Sequence, residues 1–494
     1  MRLLVCFLLL FQVPILVLSL KDFRLGRGKG GSLGSPGGDI NEPLPAAKWF
    51  KQRLDHSSAV NLITWKQRYF VNDQFYDRER PGPAFLMIGG EGPADPRWMV
   101  AGAWFAYAER FKAIMFNLEH RFYGESHPTK DMSTKNLVYL SSSQALGDLA
   151  AFIKAMNVEY KLPKDQKWVV FGGSYPGALA AWMRLKYPHL VHGAVSSSGP
   201  LLAKVDFREY FKIVVGALRE KTGDDQCSNE VKLAHNQITT LMKTQPEVIE
   251  AEFRVCKPFS GASVNDIKNF YNSIADDFAD LVQYNEDNRI GADKKYRNVT
   301  INSVCKMLTK QNSLPAYKKL AQFNSIMLDK SNQTCLDYSY NNMIKELRNV
   351  TWGSDEARQW MYQTCTEFGF YQTSSDEVEV FGNNFTVDFF IQQCQDVFGK
   401  KFDGKFLKAA VDWTNNEYGG LDLSIARIAY VHGSVDPWHA LGMTKYTDSA
   451  APVVYIRGAA HCANMYPPAD SDSEELKQAR EAILSYLGNW VSYP

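Results

Sequence analysis

One serine stands among small residues at a point where a strand is expected to give way to a helix. The stretch Trp168–Ala180 reads WVVFGGSYPGALA, an apolar run followed by Ser174 and then by a helical pattern. A nucleophile elbow has this order, because a strained turn exposes the hydroxyl and flanking glycines let strand and helix approach closely. The usual pattern is G-x-S-x-G, but here Pro176 holds the second glycine position and Gly177 follows it. Ser174 is therefore predicted to be a catalytic nucleophile.

Two other interpretations of this turn remain open, an ordinary serine in a glycine-rich turn and a phosphate-binding loop. A dinucleotide-binding loop requires G-x-G-x-x-G, and a Walker loop requires G-K followed by Ser or Thr. The stretch around Ser174 contains neither pattern. The elbow is the interpretation that the surrounding residues favour.

A serine nucleophile needs a histidine base and a carboxylate that orients it, and in an α/β-hydrolase both follow the serine in the chain. Asp436 follows one late apolar run and His461 follows the next, so parallel strands would bring both to one sheet edge with Ser174. The imidazole would take the serine proton and donate it to the leaving group. His432 and His439 flank Asp436 and are interpreted as structural or rim residues. Asp436 itself has an alternative interpretation, because an aspartate before proline also starts simple turns.

Serine hydrolases also need backbone donors for the oxyanion that develops on the substrate. The N–H of Tyr175, directly after the nucleophile, is the first predicted donor. The second is Gly90, in the segment GGEGP that follows the apolar run Ala84–Ile88. The same segment also fits a plain strand-ending turn.

The elements that would position these residues form an α/β pattern, in which short buried apolar runs alternate with helical patterns. Helices are predicted over Ser143–Met156 and Ala178–Tyr187, and a last helix is predicted to open with a capping box from Ser471 to Glu474. Buried parallel strands are predicted over Ala84–Ile88, Ala113–Leu118, Trp168–Phe171, Ala194–Ser197, Ile425–Val431 and Val453–Ile456.

Residues 204–415 lack such apolar runs and are polar and compatible with helices. They are predicted to form a mostly helical cap domain, inserted into a core with a mainly parallel sheet. The core is thereby divided into residues 48–203 and 416–494.

The N-terminal residues indicate export. Residues 1–19 have the pattern of a signal peptide, and an uncleaved anchor is disfavoured because Gln12 and Pro14 interrupt the apolar run. Residues 20–47 are rich in Gly, Pro and Ser, which predicts a flexible lead or a removable pro-piece. The mature chain is expected in the secreted or the lysosomal and endosomal lumen, without a membrane partner. Four sequons fit this location and predict N-glycans at Asn298, Asn332, Asn349 and Asn384.

Cysteine usage and charge narrow the function further. Six cysteines lie between positions 227 and 394 and predict three disulfides there, which leaves Cys462 unpaired; six cysteines alone allow fifteen pairings. No C-x-x-C pair is present, so neither a metal nor another cofactor is expected. Lys and Arg total 55 against 54 Asp and Glu, so nucleic acid is not an expected partner.

Five motifs in this chain together resemble the prolylcarboxypeptidase and dipeptidyl-peptidase II family of serine peptidases, and are most similar to its thymus-specific serine protease branch. The chain departs from the family pattern at Pro176, where a small residue is usual, and at His432, where asparagine is common. The similarity covers nearly the whole mature chain. The motifs are Gly89–Gly92, Leu118–Ser126, Gly172–Tyr175, Asp436–His439 and Gly458–His461.

The resemblance implies an α/β-hydrolase core with an inserted helical cap, and a triad of Ser174, Asp436 and His461. It also implies a serine exopeptidase that cuts short peptides near one terminus by acyl-enzyme chemistry and prefers proline beside the cleaved bond. Carboxypeptidase and dipeptidyl-peptidase action both remain open, as do an esterase or lipase, a catalytically silent binding protein and a homodimer. The implied disulfides are Cys227 with Cys305, Cys256 with Cys335, and Cys365 with Cys394.

Overall fold

The structure, a computed structural model, describes residues 33–37, 42–286, 296, 298–311, 313–353, 356–375, 380–423, 425–445 and 450–492. The predicted signal peptide at 1–19 and most of the lead at 20–47 lie outside these residues. One stretch of the lead, residues 33–37, contacts the core. The indole nitrogen of Trp98 donates to the carbonyl of Gly34 at 3.0 Å, and the hydroxyl of Tyr466 donates to the carbonyl of Leu33 at 3.0 Å.

The strands of the described residues are β1 (Lys48–Arg53), β2 (Thr64–Asn72), β3 (Ala84–Ile88), β4 (Ile114–Leu118), β5 (Trp168–Gly173), β6 (Gly193–Ser197), β7 (Lys204–Asp206), β8 (Gly369–Tyr371), β9 (Ile428–Gly433) and β10 (Val453–Ile456). Eight of them form one sheet in the order β1-β2-β4-β3-β5-β6-β9-β10. The six strands from β4 to β10 in this order are parallel to one another, and β2 is antiparallel to both β1 and β4.

All six predicted strands are present in the sheet. Every residue of β3, β4, β5, β6 and β9 is buried, as expected for parallel strands that are covered by helices on both faces. Strands β1 and β2 were not predicted. Exposed and buried residues alternate at the start of β2, so this strand has no continuous apolar run.

The helices of the described residues are α1 (Ala103–Phe111), α2 (Thr134–Leu137), α3 (Ser142–Glu159), α4 (Tyr175–Lys186), α5 (Glu209–Thr222), α6 (Gln226–Thr244), α7 (Pro246–Glu252), α8 (Val264–Gln283), α9 (Ile301–Leu308), α10 (Ala316–Lys330), α11 (Tyr340–Leu347), α12 (Ala357–Gln363), α13 (Val387–Phe398), α14 (Gly404–Tyr418) and α15 (Glu474–Ser492). A π-helical turn, Thr364–Phe368, continues α12. In the described part of the chain, no helix has the length and apolar character needed to cross a membrane.

Helices cover both faces of the main sheet. Phe152 of α3 and Leu179 of α4 belong to the apolar cluster on one face, and Trp104 of α1 and Leu487 of α15 belong to the cluster on the other. A mainly parallel sheet between two helical layers, with an elbow after a central strand, is the predicted α/β-hydrolase core.

Helices α5 to α14 lie between β6 and β9 in the chain, and all but the last three residues of α14 fall within the range 204–415 predicted as a cap. Two strands in this range, β7 and β8, pair with each other in parallel and were not predicted. Each is three residues long, which is too short to give a strand pattern in the sequence. The domain boundaries at 204 and 415 stay predictions.

Disulfides connect segments of this helical region. The described residues contain the bonds Cys227–Cys305, Cys256–Cys335 and Cys365–Cys394, which are the pairs that the family resemblance implies. Cys462 is buried and forms no disulfide.

The predicted capping box of the last helix is wrong by two residues. The hydroxyl of Ser473, not of Ser471, accepts from the backbone N–H of Leu476, at 3.2 Å. The third residue after the cap is then a leucine, whose side chain cannot accept a hydrogen bond from the cap backbone.

Candidate active site

Ser174 lies in a strained turn between β5 and α4. Its φ of 63° and ψ of −132° fall in a region that residues other than glycine rarely adopt. Strand and helix approach so closely that a Cβ atom on Gly172 would lie 2.0 Å from the carbonyl oxygen of Pro176. Pro176 is in the first turn of α4, where a missing N–H leaves no helical hydrogen bond unmade. The proline is therefore compatible with an elbow.

The loop after β3 lies against the first turn of α4. A Cβ atom on Gly90 would lie 2.2 Å from Cγ of Pro176, so this loop approaches the nucleophile only because residue 90 has no side chain. Tyr175 is the first residue of α4, and its N–H is among those without a helical acceptor. Both predicted oxyanion donors thus belong to segments that meet beside Ser174; their role stays a prediction.

Asp436 and His461 form a buried pair. Nδ1 of His461 lies 2.9 Å from Oδ1 of Asp436, and neither side chain is exposed. Burial is the largest single effect on the pKa of His461 and lowers it, but the charge of Asp436, the hydrogen bond to it and the interactions with Cys462 together raise this pKa well above its ordinary value. Nε2 of His461 has no hydrogen-bond partner among the described residues. A hydrogen bond from Ser174 to His461 is therefore not formed in this state, as is common for catalytic groups without substrate.

The strand order explains why these residues come to one edge. Ser174 follows β5, Asp436 follows β9 and His461 follows β10, and β6 lies between β5 and β9. The backbone N–H of Ser174 donates to the carbonyl of Ser197 at 2.9 Å. The hydroxyl of Ser198 accepts from the N–H of Cys462 at 2.9 Å and contributes to lowering the pKa of Asp436. Ser198 thus connects the segments that carry Asp436 and His461.

Sequence reasoning did not single out Ser198. The available signal was its position, directly after the predicted strand next to the elbow strand.

The other two late histidines do not form the ion pair with Asp436. His432 is fully buried at the end of β9, and neither ring nitrogen has a hydrogen-bond partner among the described residues. Burial lowers the pKa of His432 to about 4, so its ring is neutral and packs as part of the core. His439 is half-buried and packs edge-on against Tyr455. This geometry favours His461 as the base.

The side chain of Tyr175 is held by hydrogen bonds to the core and to the helical region. Its hydroxyl lies 3.0 Å from Nε2 of His120 and accepts from the amide of Gln363 at 3.0 Å. Nδ1 of His120 lies 2.7 Å from the carbonyl of Arg121 and must donate to it, so Nε2 accepts from the tyrosine. Burial lowers the pKa of His120 to about 4, which keeps this ring neutral. The residue after the predicted nucleophile is thereby anchored to the core and to the helical region together.

The buried side chain of Glu119 binds the loop that contains the predicted oxyanion donor Gly90. Its carboxylate accepts from the N–H of Ala94 at 2.9 Å, from the N–H of Glu125 at 2.9 Å and from the hydroxyl of Ser126 at 2.7 Å, and pairs with Arg68. Burial raises the pKa of Glu119 against the opposing effect of Arg68. The residues around Glu119 therefore stabilise the loop that follows β3.

A cavity of about 110 Å³ opens at Ser174 between the core and the helical region. A third of its lining residues are aromatic, namely Tyr175, Trp360, Phe370, Tyr371, Phe390 and Trp438. Its polar residues besides Ser174 include Glu91, Asn272, Asp276, Gln283, Gln372 and Gln393. Most of the lining residues belong to residues 204–415. The sequence did not predict which faces of the helices in this range would contact Ser174.

Known proteins similar to this chain are serine peptidases. Residues 52–483 match the family described as serine carboxypeptidase S28. A relative from Caenorhabditis elegans is 38% identical over 464 residues, which are 92% of this chain and 89% of the relative. The thymus-specific serine protease of Mus musculus is 34% identical over 95% of this chain and 90% of its own length. The lysosomal Pro-X carboxypeptidase of Homo sapiens is 26% identical over 99% of this chain and 97% of its own length.

Among solved structures, proline iminopeptidase of Mycobacterium smegmatis matches over 90% of this chain and 99% of its own, at 13% identity and a TM-score of 0.39. So low a score adds nothing to the argument. The family match is decisive, since it spans most of the sequence and its range includes Ser174, Asp436 and His461. The chain belongs to the serine carboxypeptidase S28 family of serine peptidases.

Proposed function

We propose that this serine peptidase is an exopeptidase whose triad is Ser174, Asp436 and His461. The observation that carries the proposal is a strained serine at the mouth of a cavity, on the sheet edge that also bears a buried aspartate–histidine pair. Because residues from the cap range cover this cavity, a peptide terminus fits it better than the middle of a folded chain does.

In the proposed reaction, the hydroxyl oxygen of Ser174 attacks the carbonyl carbon of the peptide bond while Nε2 of His461 takes its proton. The N–H groups of Tyr175 and Gly90 would stabilise the oxyanion. His461 then gives the proton to the leaving amine, and water hydrolyses the acyl-enzyme by the same steps. Asp436 stabilises the imidazolium throughout.

The aromatic wall supports a preference for proline beside the cleaved bond. Phe370 and Trp438 pack edge-on with ring centroids 5.4 Å apart, and both line the cavity with Ser174. A flat pyrrolidine ring buries its apolar faces well against such rings. A lipase would instead require a continuous apolar lining, whereas α8 contributes Asn272, Asp276 and Gln283 to this cavity.

A fluorophosphonate probe tests the triad. Wild type is expected to be labelled, and Ser174→Ala is expected to lose labelling without loss of folding. Absence of labelling of the wild-type protein from pH 4 to pH 8 would contradict the proposal. Peptides with Pro or Ala at each position near the termini, read by mass spectrometry, would test the proline preference, which fails if Pro and Ala are cleaved equally.

We further propose that the mature protein is a glycoprotein of the secretory or lysosomal lumen. Its disulfides fit an oxidising compartment. Asn298, Asn332 and Asn349 are exposed and Asn384 is half-buried, so three of the four sequons are freely accessible to a glycan. Treatment with an N-glycosidase would lower the mass of the secreted protein; an unchanged mass would contradict the proposal.

A further inference from the structure

One wall of the cavity at Ser174 is a single face of helix α8. Asn272, Asp276 and Gln283 line the cavity. Asp276 follows Asn272 by four residues and Gln283 follows it by eleven, and this spacing places all three on one face of an α-helix. Asp276 is half-buried, and Asn272 is 5% exposed. The helix therefore presents a row of oxygen-bearing side chains to any bound substrate.

The C-terminal end of α8 is fixed at the proposed base. The carbonyl of Gln283 accepts from the backbone N–H of His461 at 3.0 Å, and its side-chain oxygen accepts from the indole N–H of Trp438 at 2.9 Å. Asp276 precedes Gln283 by seven residues. At 1.5 Å per residue, its Cα is about 10 Å further along the helix axis, away from the base.

The charges of the cavity have one sign. Glu91 and Asp276 line it, and no Lys, Arg or His is among its described lining residues. A substrate carboxylate would meet no cation there, whereas an ammonium group would be attracted. Recognition of a free C-terminus usually requires the opposite arrangement, with an arginine or lysine that binds the carboxylate.

An unsatisfied acceptor lies beside Asp276. The amide nitrogen of Asn272 donates to Oδ2 of Asp276 at 2.6 Å, which orients the amide oxygen, and that buried oxygen has no hydrogen-bond partner among the described residues. A buried acceptor without a partner is destabilising, so it indicates a missing donor. The amide nitrogen of Gln393, 1% exposed in the same cavity, likewise has no partner and suits a peptide carbonyl.

We propose that Asp276 and Asn272 bind the α-ammonium group of a peptide, so that the enzyme removes an N-terminal dipeptide. Two extended residues span about 7 Å, and one hydrogen bond adds about 3 Å, which matches the distance of about 10 Å along α8. Glu91 is less suited to this role because it directly follows Gly90, beside the position of the reacting carbonyl. This inference rests on the proposed serine mechanism and adds the end from which it acts.

Blocked peptides test the inference without any variant. With a substrate that has proline at its second position, N-acetylation is expected to lower kcat/KM at least 100-fold, and amidation of the C-terminus to change it less than threefold. Mass spectrometry should show the N-terminal dipeptide as the product. Release of a C-terminal residue, or cleavage that amidation blocks and acetylation does not, would overturn the inference.

The variant Asp276→Asn tests the residue itself. Its kcat/KM for the free peptide is expected to fall at least 30-fold, while its selectivity for the free over the acetylated peptide falls towards one. A merely structural effect would lower both rates and keep this selectivity, which would overturn the assignment. Asp280→Asn is the matched control, because Asp280 lies one turn further along α8 and does not line the cavity.

Fluorophosphonate labelling distinguishes a failure of the proposed serine mechanism from a failure of the proposed amine-binding subsite. If wild type is not labelled, the serine mechanism itself fails. If it is labelled and cleaves peptides from the C-terminus, only the amine-binding subsite fails.

Discussion

The contact between Asp436 and His461 determines the pH at which the proposed nucleophile becomes reactive. His461 accepts the serine proton only when neutral, and Asp436 raises the pKa of this imidazole well above its ordinary value. We therefore expect kcat/KM to rise with pH as His461 loses its proton. In Asp436→Asn this rise should move to lower pH, and kcat should fall by about 10⁴-fold, as when the aspartate of other Ser-His-Asp triads is replaced.

The pH profile of kcat/KM for both proteins checks this prediction. The control is His439→Gln, because the half-buried ring of His439 packs on Tyr455 and does not form the ion pair with Asp436. It should change kcat less than threefold and leave the profile in place. A profile that moves equally in both variants would contradict the assignment of His461.

The contact between Gly90 and Pro176 predicts a pair of substitutions that compensate each other. In Gly90→Ala the new methyl group would lie 2.2 Å from Cγ of Pro176, and relief of this clash must move the loop or the elbow. Overpacking of this kind costs about 1–3 kcal/mol. Its effect on kcat should exceed tenfold because both proposed oxyanion donors lie on the displaced segments.

The double variant Gly90→Ala/Pro176→Ala should recover most of the activity, since Cβ of residue 176 is 3.7 Å from the new methyl group. A double-mutant cycle on kcat and on thermal stability measures this coupling. Strictly additive effects would show that the two residues do not restrain each other.

The sequence suffices to propose a triad because chain order and strand ends restrict the candidate residues. Ser174, Asp436 and His461 each follow a predicted strand, and parallel strands bring such positions to one edge. It did not predict Gln363 or Asp276, since a helix in a polar insertion can turn any of its faces towards the site. Only the tertiary structure fixes that rotation.

At the scale of elements, the π-helical turn Thr364–Phe368 couples the helical region to the core through Glu367. Its carboxylate accepts from the backbone N–H of Ser142 at 2.9 Å and from the hydroxyl of Ser142 at 2.6 Å, at the N-terminus of α3. Burial raises the pKa of Glu367 to about 7, and the hydrogen bonds from Ser142 only partly oppose this effect. The fold therefore favours the protonated acid.

This pKa predicts how stability depends on pH. Because the folded-state pKa lies above the unfolded value of 4.5, the contribution of Glu367 is complete below pH 4.5 and is lost as pH rises through about 7. Between pH 5 and pH 7 the free energy of unfolding should fall by about 2 kcal/mol from this group. Glu367→Gln, which stays neutral, should flatten this part of the profile.

Denaturant unfolding at several pH values measures the difference between the two proteins. Asp403→Asn is a suitable control, because this residue caps α14 at the surface. A parallel dependence in wild type and Glu367→Gln would show that Glu367 titrates as it does in the unfolded chain.

Elements with continuous apolar runs were predicted, and elements without them were not. The strands β3 to β6 are buried on both faces and were found within two residues of their bounds. Strands β1 and β2 lie at the sheet edge, where one face is partly exposed and the apolar signal weakens. The cap of α15 was misplaced because Asp and Ser alternate over residues 470–473, so several positions offer a capping side chain.

For the molecule as a whole, the proposed site is assembled from both parts of the chain. Three residues of the helical region make contacts to the core. Gln363 donates to the hydroxyl of Tyr175, and the carbonyl of Gln283 accepts from the N–H of His461. The carboxylate of Glu367 accepts from the N–H of Ser142 at the start of α3. Separation of this region from the core would remove contacts to the nucleophile's neighbour and to the base together. The helical region is therefore part of the proposed catalytic site and does not only cover it.

The lead, which the sequence predicts to be flexible or removable, contacts the core beside Ser174. The side chain of Leu33 packs on Gly173, next to the nucleophile, and residues 33 and 34 accept hydrogen bonds from Tyr466 and Trp98. A chain that starts at residue 42 loses these contacts, while one that starts at residue 33 keeps them. We expect the shorter chain to be less stable by about 2 kcal/mol and to melt a few degrees lower. Calorimetry and kcat of both chains decide the matter, because a true pro-piece would leave both quantities equal or raise kcat on removal.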